Sequence, residues 1–177
     1  QASGTIVLAT EWWRDTQGGA DPSAAMAKAL LVNGAVDMGT PDIPNINEGW
    51  GRINSTNIIS PSAATLYWDQ EIVFANSGES WTLSLGVVDP SQPLKITLAW
   101  SDAPGAVGAN PALVNNLDLT VENGGNTYLG NVFSGGWSQA GGSADSINNL
   151  ENVYIQNPAG DVTITVDAVN IAGDAVL

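Results

Sequence analysis

The alternation running from Leu94 to Val121 constrains this chain more than any other stretch. Leu94, Ile96, Leu98 and Trp100 alternate with Lys95, Thr97, Ala99 and Ser101, and further on Leu117, Leu119 and Val121 alternate with Asp118, Thr120 and Glu122. A period of two sends successive side chains to opposite faces, so each run reads as a strand with one buried face and one wet face. Between the runs lie Asp102, Pro104, Gly105, Gly108, Asn110, Pro111, Asn115 and Asn116, turn formers rich in side-chain oxygen. Such a connection stays at the surface.

The same reading extends in both directions. Strands are predicted over residues 66–75, 81–87, 94–100, 117–122, a short 128–129, 152–156 and 161–169. Turn signals separate them at Asn76-Ser77-Gly78, at the Asp89 to Pro93 run, at Asn123-Gly124-Gly125-Asn126 and at Asn157-Pro158-Ala159-Gly160. Short alternating strands with regular turns predict a mainly β fold of the sandwich type. The Gly/Ser segment over residues 134–143 reads as a loop.

Two helices precede this β pattern. Residues 3–15 carry Ile6, Val7, Leu8, Ala9, Trp12 and Trp13 around most of a helical circumference, so this helix is expected to be buried. Gly18-Gly19 ends it, and Asp21-Pro22 offers an N-cap and a first-turn proline for a second helix over residues 23–32, with Asn33-Gly34 as its stop. Residues 54–65 turn to Asn, Ser, Thr, Pro and Ala, the composition of a connector, which places a domain boundary near Ile59. The expected organisation is therefore 1–59 as a helical segment and 60–177 as a β domain.

Charge and two missing residue types limit the chemistry. Eighteen acids against four bases give a net charge of −14, which disfavours nucleic acid and anionic membranes and favours cations. No apolar run approaches the roughly 20 residues that span a bilayer. With no cysteine and no histidine there is no thiolate metal site, no thiol nucleophile and no Ser-His-Asp triad, so no catalytic residue is assigned. Oxygen ligands are what remains for a metal.

Two oxygen-rich groups supply such ligands: Asp102, Asn115, Asn116 and Asp118, and Asp145, Asn148, Asn149, Glu151 and Asn152. Calcium takes six to eight oxygens, and Asp, Asn and backbone carbonyls in loops provide them. The candidate metal ligands are Asp102, Asn116, Asp118, Asp145, Asn149 and Glu151, without EF-hand spacing. The competing reading makes these side chains Asx-turn formers and solvated carboxylates. The seven tryptophans raise a further alternative, a non-catalytic carbohydrate- or surface-binding sandwich, with Trp137 in the Gly/Ser loop as the ring expected to be exposed.

Several segments carry a family resemblance. The run Trp100-Ser-Asp-Ala-Pro-Gly105, followed by Leu113-Val-Asn-Asn-Leu-Asp-Leu119, then the segments 128–131, 145–153 and 166–170 in the same order, resembles the C-terminal jelly-roll domain of secreted subtilisin-like serine proteases. Asn47-Glu-Gly-Trp-Gly-Arg52 resembles the closing segment of their α/β catalytic domain, and Gln1 to Gly4 resembles the residues after the nucleophile segment. The resemblance implies a jelly-roll β-sandwich of seven or eight strands, its last strand lacking, preceded by two helices from the end of the catalytic domain. It implies a calcium-binding, secreted C-terminal portion of a serine endopeptidase, with the triad in sequence ahead of Gln1. The implied partners are the N-terminal part of that catalytic domain and protein or peptide substrates.

Overall fold

The computed structural model describes residues 1–39, 41–86 and 89–172. Its contacts divide the chain into two units, Gln1–Glu71 and Ile72–Leu177.

In the first unit, helices α1 (Ala2–Thr16), α2 (Ala24–Asn33) and α3 (Ser55–Ile59) close on a small core of Ala9, Trp13, Leu30 and Ile58. Helix α1 matches its expected span to within one residue at each end. The expected burial does not follow: Val7 is 67% and Leu8 50% exposed, because the other two helices cover only the stripe that carries Ala9 and Trp13. The start of α2 also differs from expectation. Its N-cap is Ser23, whose hydroxyl accepts from the Met26 amide, while Asp21 pairs with Arg14 outside the helix. Asp69 fixes that cap by accepting from the Ser23 amide and hydroxyl.

That contact moves the boundary. Residues 66–75 form no strand: Asp69 is bound to Ser23, Gln70 takes a φ of 59°, and the Tyr67 ring stands edge-on to Trp12 and Trp13 at 5.8 and 5.4 Å. The stretch expected to open the β domain at residue 60 thus packs with the helices as far as Glu71. Within the same unit Val36 bridges Arg52, and Gly51, at φ 105°, lies so close to the Val36 carbonyl that a Cβ would sit 2.5 Å from its oxygen.

In the second unit the pairings between named strands are all antiparallel. Strands β1 (Ser80–Gly86), β3 (Asn116–Asn123), β4 (Asn126–Ser134), β5 (Trp137–Ala140) and β7 (Asp161–Asn170) form one sheet in the order β1-β7-β3-β4-β5. Strands β2 (Leu94–Ala99) and β6 (Leu150–Ile155) form the other. Leu117, Leu119 and Val121 of β3, Val162, Ile164, Val166 and Ala168 of β7, and Val153 and Ile155 of β6 share one core with Trp100. The outer face of the larger sheet is polar, with the hydroxyls of Thr82 and Thr165, and of Ser84 and Thr163, paired across β1 and β7 at 3.3 Å. The mainly β class expected from the alternation therefore holds.

Two strands exceed what the alternation indicated. β4 runs far beyond residues 128–129, and β5 lies inside the Gly/Ser segment expected to be a loop. Ser134 pairs with Trp137 across Gly135-Gly136, both at positive φ, which is a two-residue hairpin of the type that matches strand twist. Trp137 is accordingly half-buried in a strand rather than displayed in a loop. Val87, the expected end of one strand, and Gly173–Leu177, past which the last strand was expected to be lacking, lie outside the described residues.

A seam joins the two sheets. The β3–β4 ladder stops at Thr120 and Leu129, and Asn131, at φ 62°, turns β4 toward β6. There the Asn131 amide donates to the Leu150 carbonyl at 2.7 Å and accepts from the Asn152 N–H at 3.0 Å, and the Ser138 hydroxyl accepts from the Tyr154 N–H. Phe133 stands edge-on to Tyr154 at 5.4 Å. Side chains thus satisfy an edge of β6 that would otherwise carry buried, unpaired amides.

Candidate metal centre

The six expected ligands separate into two kinds. Asp102 accepts three backbone amides: Ala103 and Asn115 on one oxygen, Val114 on the other, at 2.7 to 2.9 Å. It therefore ties together the two ends of the long loop. Asp145 is committed in the same way, accepting from the Ile147 and Asn148 amides and from the Asn131 and Asn148 side chains. Burial alone would raise the Asp145 carboxyl, but these hydrogen bonds from Asn148, Asn131 and Ile147 hold it below the ordinary carboxylate range. Asn149 donates to the Trp100 carbonyl at 3.1 Å. At Asp145 the Asx-turn reading fits what the carboxylate oxygens do, whereas Asp102 spends its oxygens on amides across the loop.

Asn116, Asp118 and Glu151 are different. Glu151 lies on β6 but faces the inside of the sandwich, 1% exposed, and one of its oxygens accepts the Leu119 N–H at 2.6 Å. Its other oxygen is buried without a partner. The carboxylate enters where Leu119 and Gly130 would have continued the β3–β4 ladder, and a Cβ on Gly130 would lie 2.0 Å from Glu151 Oε2. Glycine at 130 is what makes the space. Burial pushes the Glu151 carboxyl up to about 8, against the Leu119 hydrogen bond and with the negative charges of Asp118 and Asp145 adding to the shift.

Beside it on β3, Asn116 donates its amide to Asp118 at 3.0 Å, leaving the Asn116 carbonyl oxygen buried and unpartnered. Asp118 pairs in register with Asp167 of β7. Burial first, and then the charges of Asp167 and Asp145, raise the Asp118 carboxyl. The arrangement therefore holds two carboxyls and two orphaned acceptor oxygens, and it is short of positive charge. Acids alone do not complete it, since among the described residues no three His, Cys, Asp or Glu side chains gather to hold a metal. Asn152 points away, to Thr97 and Tyr154 on the opposite face of β6. Sequence reasoning missed Gly130 and Asn131, which shape the site from β4.

Oxygen donors with an acceptor surplus fit a hard cation such as calcium, and Asn116, Asp118 and Glu151 are the residues that would hold it. A polar depression of about 330 Å³ at the far end of β3 is lined by Glu122, Asn126, Thr127, Asp161 and Thr163 among others, with no aromatic ring.

These features define a two-unit chain, helical and then antiparallel β, with a buried oxygen site and without histidine. Part of it is similar to a serine protease: a stretch of 63 residues, 32% of this chain, is 43% identical to the serine protease/ABC transporter B family protein tagD of Dictyostelium discoideum. The chain spans 4% of the length of that protein. No family model matches the chain. No helix among the described residues is long and apolar enough to cross a membrane.

Proposed function

We propose that this chain is the C-terminal portion of a secreted subtilisin-like serine endopeptidase, with Gln1–Glu71 closing the catalytic domain and the β unit forming its jelly-roll companion. The observation that carries the reading is the 43% identity to a protein named as a serine protease, over a chain whose motifs follow the order of that family. Exposed Val7 and Leu8 on α1 support it, since they offer an apolar face for the rest of a catalytic core to cover. The parent would hydrolyse peptide bonds through a serine nucleophile, with histidine as base, and this chain would contribute scaffolding around that centre. Calcium in the β unit would stiffen it by binding the folded state alone. The sugar-binding alternative loses its main argument with Trp137 half-buried in β5.

A serine-reactive fluorophosphonate probe and casein hydrolysis test the division of labour. The purified chain is expected to remain unlabelled and inactive, and to become part of an active, labelled enzyme when the coding sequence ahead of Gln1 is restored. An extended protein that stays unlabelled overturns the reading, as does hydrolysis by the chain alone.

A further inference from the structure

We infer that the outer edge of β1 is a strand-pairing surface whose partner is a second copy of this chain, joined antiparallel about a two-fold axis at Leu83. The inference is independent of the protease and calcium readings.

Among the described residues β1 ends the larger sheet, and the phase of its hydrogen bonds shows which groups face outward. The Ala168 N–H donates to the Glu79 carbonyl at 2.9 Å and the register pairs Ser80 with Asp167, so Trp81, Leu83 and Leu85 spend their backbone groups on β7. The N–H and C=O groups of Ser80, Thr82, Ser84 and Gly86 therefore point away from the sheet, and these four residues are exposed. Natural sheets guard such an edge with brevity, a bulge, a proline or a charge. β1 has none of these: it is seven residues in unbroken register with β7, reading Ser-Trp-Thr-Leu-Ser-Leu-Gly. The chain carries eighteen acidic residues, and not one of them stands on this edge. The opposite edge of the same sheet, β5, is four residues long.

A second copy fits because the strand is complementary to itself. Turned about Leu83, one β1 sets Ser80 opposite Gly86, Trp81 opposite Leu85 and Thr82 opposite Ser84 of the other. Every outward-facing residue then meets an outward-facing residue, as an antiparallel ladder requires. The polar face continues the pattern already present between β1 and β7, where Thr82 meets Thr165 and Ser84 meets Thr163 at 3.3 Å. On the inner face Trp81 and Leu85, which pack on the core, gain each other's copies, and half-buried Leu83 meets its own. No like charges are opposed across the new pair. The nearest acids in register, Asp161 and Asp167, lie one strand back at either end of β1, so repulsion between the copies is of the long-range kind that salt screens. One strand from each copy is a small contact, and the dimer is accordingly weak and concentration-dependent.

Analytical ultracentrifugation of the whole chain at rising concentration, in about 1 M sodium chloride where the Debye length falls to about 3 Å, is expected to show a monomer–dimer equilibrium. Ser84→Pro removes an outward N–H and costs no bond to β7, so it is expected to leave thermal unfolding nearly unchanged and to weaken association roughly tenfold or more. Two further variants read the register. Thr82→Lys with Ser84→Lys opposes like charges and is expected to be monomeric, whereas Thr82→Lys with Ser84→Glu sets each lysine opposite a glutamate and is expected to dimerise. Both alter only the exposed face, and they carry the test if Ser84→Pro does not fold. Because the chain has no cysteine, Leu83→Cys supplies a lone thiol at the axis. As a non-hydrogen-bonded pair with Cα atoms about 4.5 Å apart, it is expected to form an intermolecular disulfide on mild oxidation, with Ser80→Cys lagging well behind. A chain that stays monomeric at millimolar concentration, or a dimer indifferent to a folded Ser84→Pro or to the paired lysines, overturns the proposal. So does a monomer that binds casein until Ser84→Pro is introduced, which gives the edge to a foreign extended polypeptide.

Discussion

Glu151 and Gly130 occupy one another's space: the carboxylate on β6 sits where any side chain at residue 130 on β4 would have to be, 2.0 Å from the position of the absent Cβ. A methyl group at 130 therefore meets a buried, hydrogen-bonded group rather than a yielding surface. Gly130→Ala is expected to destabilise the β unit by about 1–3 kcal/mol or more, the cost of overpacking. Urea unfolding checks it, with the midpoint falling and the slope unchanged. Gly4→Ala in α1, where nothing lies within 4 Å, is expected to stabilise the helical unit by roughly 0.5–1 kcal/mol.

The Glu151 carboxyl also sets a pH dependence. Its folded-state value is raised from the ordinary 4.5 to about 8, so between those limits the folded chain holds a proton that the unfolded chain has released. Stability from this group is complete below 4.5 and is lost as pH rises through about 8, and Asp118, also raised, acts with the same sign. In chelator, the β unit is expected to lose on the order of a few kcal/mol across this window, and Glu151→Gln to flatten the profile. A stability that climbs from pH 4.5 to 8 in chelator contradicts the assignment.

Asn131 carries more hydrogen bonds than its half-exposed position suggests. Its side chain serves Asp145, Leu150 and Asn152 at once. Asn131→Ala is expected to cost about 2–4 kcal/mol, because the Asn152 amide and the Leu150 carbonyl are then left inside without partners. Hydrogen exchange at the Asn152 amide is the sharper readout and should accelerate before any change at Val153.

In the helical unit, the Ser23 hydroxyl both caps α2 and donates to Asp69. Ser23→Ala is expected to cost about 1 kcal/mol, and Asp69→Ala to cost a similar amount through the same helix start. The double variant should lose less than the sum, since both remove one hydrogen-bonded unit.

How far the sequence anticipates this structure depends on whether a residue's pattern or its partner decides. Leu117, Leu119 and Val121 are 8%, 1% and 0% exposed, as a period of two requires. Residues 66–75 carry the aromatic and β-branched content of a strand without its alternation, and Asp69 and Tyr67 are taken up by the helical unit, a contact that no local pattern contains. β5 was hidden by its own glycines: Gly135-Gly136 is a hairpin signal that the surrounding Gly/Ser composition obscured. The six expected ligands show the same limit. Asp102 and Glu151 look alike as letters, yet one spends its oxygens on loop amides and the other keeps one bare in the core. Only the three-dimensional path of β4, bent at Asn131, tells them apart.

The anchoring of β6 through Asn131 and Ser138 leaves the tip of the β4–β5 hairpin under weak geometric control. A peptide ladder propagates any inserted residue as a register slip along its whole length, whereas two discrete anchors transmit nothing between them. Gly135-Gly136 and its neighbours are thus the place in the β unit where length and composition can drift, or a foreign peptide be grafted, while the sandwich beneath keeps its alignment.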